Sequence, residues 1–108
     1  MSARVRRYMS TLKRIRRMGD KAKREYVRKC DKTFVDCVSE CAKNVIKGNV
    51  PLTNRQKAKL RRSRNDIRAL SVKKTSLRKK RKILQKGGFL TALLPPVLSL
   101  LGGMFSSQ

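Results

Sequence analysis

Cys30, Phe34, Cys37, Cys41 and Val45 recur at spacings of four, three, four and four, and Val27, Val38 and Ile46 widen the same stripe. A period near 3.6 residues places them on one helical face. The spacing predicts a single amphipathic helix over 25–47, about six turns long. Gly48 follows and suits a left-handed C′ position. A lone helix cannot cover its own stripe. Either another segment of the chain docks on it, or a second copy does, making 25–47 a homodimer element.

Cover is scarce because charge is abundant. Of 108 residues, 30 are Lys or Arg and 6 are Asp or Glu, a net charge of +24. The length allows one small domain. Aromatics are 5% of the chain and Trp is absent, so large core anchors are few. A compact monomer of this charge repels itself, and part of the chain is expected to stay extended until a polyanion neutralises it. Duplex DNA carries one charge per ~1.7 Å, so the excess matches roughly 40 Å of duplex. Ordinary surfaces mix both signs; here bases outnumber acids five to one. The composition also argues against an enzyme. With no His the commonest general base is gone, the acids sit beside bases, and no Ser or Cys has an activating neighbour.

The three cysteines are an odd number and form no closed disulfide framework. Without His or a fourth Cys they make no zinc site, so no metal or cofactor is expected. On the stripe they read as small buried hydrophobes, with a redox or interchain disulfide as the alternative. No apolar signal core follows Met1, which fits an intracellular, reducing setting.

Four segments follow. Residues 1–24 carry Arg4, Arg6, Arg7, Lys13, Arg14, Arg16 and Arg17 and read as a basic arm, disordered until it meets phosphate. Residues 25–47 are the Cys-bearing helix, which holds or borders five of the six acids. Residues 48–88 form a basic helical DNA-binding region with fifteen bases and one acid from 50 to 86, a local +14. Within it Pro51 keeps any helix from passing through the loop. Thr53 and Gln56 form a capping-box pattern opening a helix over 54–70, with Leu60, Ile67 and Leu70 on one side. Ser76 caps a third helix over 77–86, and Gly87-Gly88 stops it. The expected DNA-binding side chains here are Arg55, Lys57, Lys59, Arg61, Arg62, Arg64, Arg68, Lys73, Lys74, Arg78, Lys79, Lys80, Arg81, Lys82 and Lys86. No recognition face for base edges stands out, so binding without sequence preference is expected. RNA is the weaker alternative, because Tyr8, Tyr26, Phe34, Phe89 and Phe105 look too scattered for stacking platforms.

Residues 89–108 form an apolar tail. From Phe89 to Phe105 no charge appears, and Pro95-Pro96 interrupt a run already shorter than the ~20 residues of a spanning helix. Phe89, Leu90, Leu93, Leu94, Val97, Leu98, Leu100 and Leu101 have three roles open to them. They can join the core, enter a membrane interface beside the cationic helix, or dock on a partner such as a capsid protein. The fold expected is all-α: one long amphipathic helix, two short basic helices, a disordered basic N-terminal arm and an apolar C-terminal tail.

Gly48-Asn49-Val50-Pro51-Leu52-Thr53, Gln56-Lys57, Arg68-Ala69-Leu70, Lys79-Lys80-Arg81-Lys82 and Gly87-Gly88-Phe89-Leu90 together resemble the small basic proteins of Polinton/Maverick elements and their adintovirus relatives. Those resemble in turn the precursor of adenovirus core protein X (mu). The likeness spans roughly 34–104. It implies a late virion core protein that condenses double-stranded DNA in the capsid, with assembly in the host nucleus. It also implies trimming by a viral cysteine protease at (Met/Ile/Leu)-x-Gly-Gly. Leu100-Leu101-Gly102-Gly103 before Met104 fits that pattern, placing processing at Gly103/Met104, whereas Gln85-Lys86-Gly87-Gly88 does not fit. The Cys-bearing helix has no counterpart in the adenovirus protein.

Overall fold

The computed structural model describes residues 3–86 and 88–106, with side chains described as far as Leu101. Among the described residues there are eight helices and no strand: α1 (Ala3–Arg7), α2 (Met9–Arg17), α3 (Asp20–Lys29), α4 (Lys32–Ile46), α5 (Asn54–Arg62), α6 (Arg64–Ser71), α7 (Leu77–Leu84) and α8 (Phe89–Ser106). The all-α expectation holds. Its finer division does not.

The N-terminal arm is folded, contrary to the expectation of disorder. Val5, Tyr8, Leu12 and Ile15 follow spacings of three, four and three, which is a helical stripe in its own right. Val5, Leu12 and Ile15 are fully buried. The repulsion among the arginines does not prevent this, because they lie on the exposed face and reach into water.

The helix expected over 25–47 is two helices. Cys30 takes an extended conformation, and the Asp31 side chain accepts a hydrogen bond from Phe34 N–H at 2.9 Å, starting α4 afresh. The stripe survives the break, since Phe34, Cys37, Val38 and Cys41 are all buried. Ile46, at its far end, is 49% exposed. α4 packs chiefly on α6, and also against α1 and α7. The need that motivated a homodimer through 25–47 is therefore met within one chain. Tyr8 and Tyr26 both approach Phe34 edge-on, at 5.9 and 5.2 Å between ring centres. That geometry suits the ring quadrupoles and ties α3 and the α1–α2 junction to α4.

The loop and caps of the basic region form as expected. Gly48 has φ +77°, Thr53 and Gln56 complete both bonds of the capping box, and Ser76 accepts from Lys79 N–H at 3.2 Å. The helix over 54–70 is split at Ser63 (φ −108°, ψ 18°) into α5 and α6. The helix over 77–86 ends at Leu84.

The apolar run is helical through both prolines. Pro95 and Pro96 lack the N–H groups that would reach the carbonyls of Thr91 and Ala92, so α8 forgoes two ladder bonds. Burial compensates: Leu93, Leu94 and Val97 are fully enclosed, and Leu90, Pro96 and Leu98 are buried. α8 packs on α2, α5 and α7. The tail thus completes the core, but the basic helices receive it rather than the Cys-bearing stripe. The whole measures 38 × 26 × 25 Å with a radius of gyration of 12.9 Å.

Candidate nucleic-acid interface

α2 exposes its bases because its other face is taken. Leu12 and Ile15 turn inward in a helix that packs on α8, so Lys13, Arg16 and Arg17, at i, i+3 and i+4, line up along the outer side. With Gln56 of α5 and Pro95, Leu98 and Ser99 of α8 they line a cleft of about 750 Å³. No acid lines it. The Gln56 Oε1 accepts from Thr53 N–H at 2.9 Å, which turns the amide's two N–H donors away from the cap. One wall therefore offers three cations and the other an amide donor, over a partly apolar floor. That is suitable chemistry for a sugar–phosphate segment.

Of the remaining side chains expected to meet DNA, Arg4, Arg6, Arg7 and Arg14 are exposed on α1 and α2, and Arg55, Lys57, Lys59, Arg61 and Arg62 on α5. Arg64 and Arg68 of α6, Lys73 and Lys74 of the following loop, Arg78, Lys79 and Lys82 of α7, and Lys86 are exposed as well. Three cations have other engagements or surroundings. Lys80 is only 8% exposed. Arg81 is half-buried and donates from Nη2 to the Cys30 carbonyl at 2.6 Å, while its Nε is buried without a partner. Lys86 donates to both carboxylate oxygens of Asp66, at 3.0 and 2.9 Å.

Further exposed bases lie outside the expected set: Lys21, Arg24, Arg28 and Lys29 on α3, and Lys32, Lys43 and Lys47 on or beside α4. They share that stretch with five of the six acids, which lowers its net charge and masks them in a count of local charge. Lys23 is different, 9% exposed and donating to Thr91 Oγ1 at 2.8 Å, a tie between α3 and α8. The ion pairs found among the described residues are Arg28–Glu25, Lys32–Asp36 and Lys86–Asp66, at 2.6, 3.1 and 2.9 Å. Pairs this exposed each contribute about 0–1 kcal/mol. They leave most of the positive surface uncompensated.

The apolar set expected to meet a membrane or a partner lies in the core, apart from half-buried Leu100: Phe89, Leu90, Leu93, Leu94, Val97, Leu98 and Leu101 are buried. Contact with a bilayer or a capsid would require α8 to leave α2 and α5. Among the described residues no single helix is long and apolar enough to cross a membrane. Gly103 and Met104 fall in the last turns of α8, and their side chains lie outside those described.

Cys30, Cys37 and Cys41 are free and buried. A hydrogen bond with Cys37, together with burial, pushes the Cys41 thiol well above its ordinary value. Burial also raises Cys30, partly offset by the Arg81 guanidinium. Both thus favour the unreactive thiol form. Among the described residues no group of three or more His, Cys, Asp or Glu side chains gathers in a way that could hold a metal ion. The aromatic residues are less scattered than the sequence indicated, but Tyr8, Tyr26 and Phe34 meet as packing partners. Comparison with protein-family models, with curated proteins and with solved structures gives no match.

Proposed function

We propose that this chain binds double-stranded DNA without sequence preference and condenses it, as a virion core protein of a Polinton/adenovirus-like element, acting in the host nucleus during assembly and in the virion core thereafter. The observation that carries the reading is an excess of thirty bases over six acids, all but a few of the bases displayed on the outward faces of helices whose inward faces share one core. Cations fixed on helices meet phosphate without first being ordered, and each contact releases condensed counterions. The cleft between α2 and α5 concentrates three of them without an opposing acid.

A salt titration with duplexes of unrelated sequence tests this. Log affinity should fall linearly with log salt at ~−0.9 per phosphate contact, with the same slope for each duplex. Replacing Lys13, Arg16 and Arg17 together by Gln should reduce the slope by about 2.7 if each makes one contact. Affinity that does not respond to salt would overturn the reading.

A further inference from the structure

Lys80 stands apart from the other cations. It is 8% exposed; its backbone N–H donates to the Ser76 carbonyl at 3.0 Å, but among the described residues its ammonium makes no hydrogen bond and no ion pair. Its ammonium is not fully occluded, and the residue lines a second cleft, of about 390 Å³, between α4, α7 and the α6–α7 loop. The stem is held in the packed wall while the ammonium keeps a path to the cleft, where an anion can meet it. Ser39 lines the same cleft, and its hydroxyl is buried without a hydrogen-bond partner among the described residues. Thr75 adds a further hydroxyl.

Unlike the α2–α5 cleft, this one is mixed in sign. Arg4, Lys43 and Lys73 join Lys80 on its walls, but Asp36 and Glu40 are there too, Asp36 paired with Lys32 at 3.1 Å. Carboxylates repel a backbone phosphodiester, which has no proton to give them. They suit an oxyanion that keeps one: hydrogen phosphate or a phosphomonoester presents P–O⁻ oxygens to ammonium and hydroxyl donors and a P–OH donor to a carboxylate, for which Asp36 keeps Oδ1 while Lys32 holds Oδ2. Sulfate has the same shape and charge but lacks that proton near neutral pH.

We infer that the cleft around Lys80 and Ser39 is a binding site for a protonated phosphoryl group, either free hydrogen phosphate or a phosphomonoester end. It is separate from the α2–α5 cleft, borders the duplex-facing surface at Arg4 and Lys73, and does not depend on the proposed function. Both sources share one recognition chemistry.

The test is the thermal midpoint of the full chain in phosphate and in sulfate at equal ionic strength, since a bound ligand raises the midpoint by mass action. General screening of +24 is common to both salts and cancels. Phosphate should stabilise the wild type more than sulfate, with affinities differing at least about tenfold, or ~1.4 kcal/mol. Lys80→Met and Ser39→Ala should abolish the difference, while the exposed neighbour Lys79→Met should keep it. Should Lys80→Met not fold, Ser39→Ala stands alone, since it removes a hydroxyl that bonds none of the described residues. Equal stabilisation of wild type by the two salts, or an undiminished phosphate preference in Ser39→Ala, overturns the inference. Displacement of phosphate by a 5′-phosphorylated duplex but not by its 5′-hydroxyl form assigns the site to strand ends. Displacement by neither assigns it to inorganic phosphate.

Discussion

A guanidinium on α7 shows how differently neighbouring bases behave. Arg81 spans from α7 to the carbonyl of Cys30, where α3 and α4 part, and satisfies a backbone acceptor at that break. Arg81→Ala should cost about 2 kcal/mol in urea unfolding, as expected for a partly buried bond to a charged donor, with little change in the salt slope of DNA binding. Arg78→Ala, on the exposed side of the same helix, should do the reverse: stability within about 0.5 kcal/mol and a slope reduced by ~0.9. The cysteines add a pH dependence. Cys41 keeps its proton in the fold at pH values where the unfolded thiol, with an ordinary value of 9.0, releases it. Protons are then bound more tightly by the folded state, so the stabilisation is complete below pH 9.0 and declines as pH rises past it. The slope contributed by Cys41 approaches about 1.4 kcal/mol per pH unit, and Cys41→Ala should remove that share in unfolding titrations between pH 8 and pH 11.

Among the elements, α8 decides the arrangement of the rest. Leu93 is fully enclosed in the core to which α2 and α5 also contribute. Leu93→Ala should cost 2–5 kcal/mol, typical of a cavity in a packed core, measured by denaturant unfolding. What the sequence revealed at this scale was local. Gly48, Thr53 and Ser76 each act within four residues, and each was readable from its own neighbours. Asp31 is equally local, yet it lies inside a stripe whose period runs on past it, so the sequence reads as one continuous helix and the cap is hidden. The N-terminal arm was missed for a different reason. Its stripe of Val5, Leu12 and Ile15 is thin, and its charge argues for disorder unless cover is at hand. Much of that cover is α8, about eighty residues further on, and Pro95-Pro96 made α8 look unfit to be a helix. The site divided the same way. Exposed cations were legible as a class, but which base is diverted inward depends on packing between α3, α4 and α7 that no window of sequence contains.

At the scale of the whole molecule, length and charge correspond. A body 38 Å long lies along duplex carrying roughly 22 charges at one per ~1.7 Å, against its own +24. Exposed bases occur on seven of the helices, α1 to α7, so one duplex cannot meet all of them at once. Cations facing away remain available to a second duplex, which turns neutralisation into bridging. Light scattering on long DNA should therefore rise steeply near one chain per about 12 base pairs, where the charges balance, and the onset should move to higher protein as salt increases. The closing helix also imposes an order of events. All thirty bases precede residue 87, and α8, which α2 must find across most of the chain, is synthesised after them. Such distant pairing is slow to form. During translation or refolding, the cationic helices meet surrounding RNA and DNA before their own core can close over them. Ionic strength while the chain is being made, and not only while it is being assayed, then governs how much of it reaches the folded state.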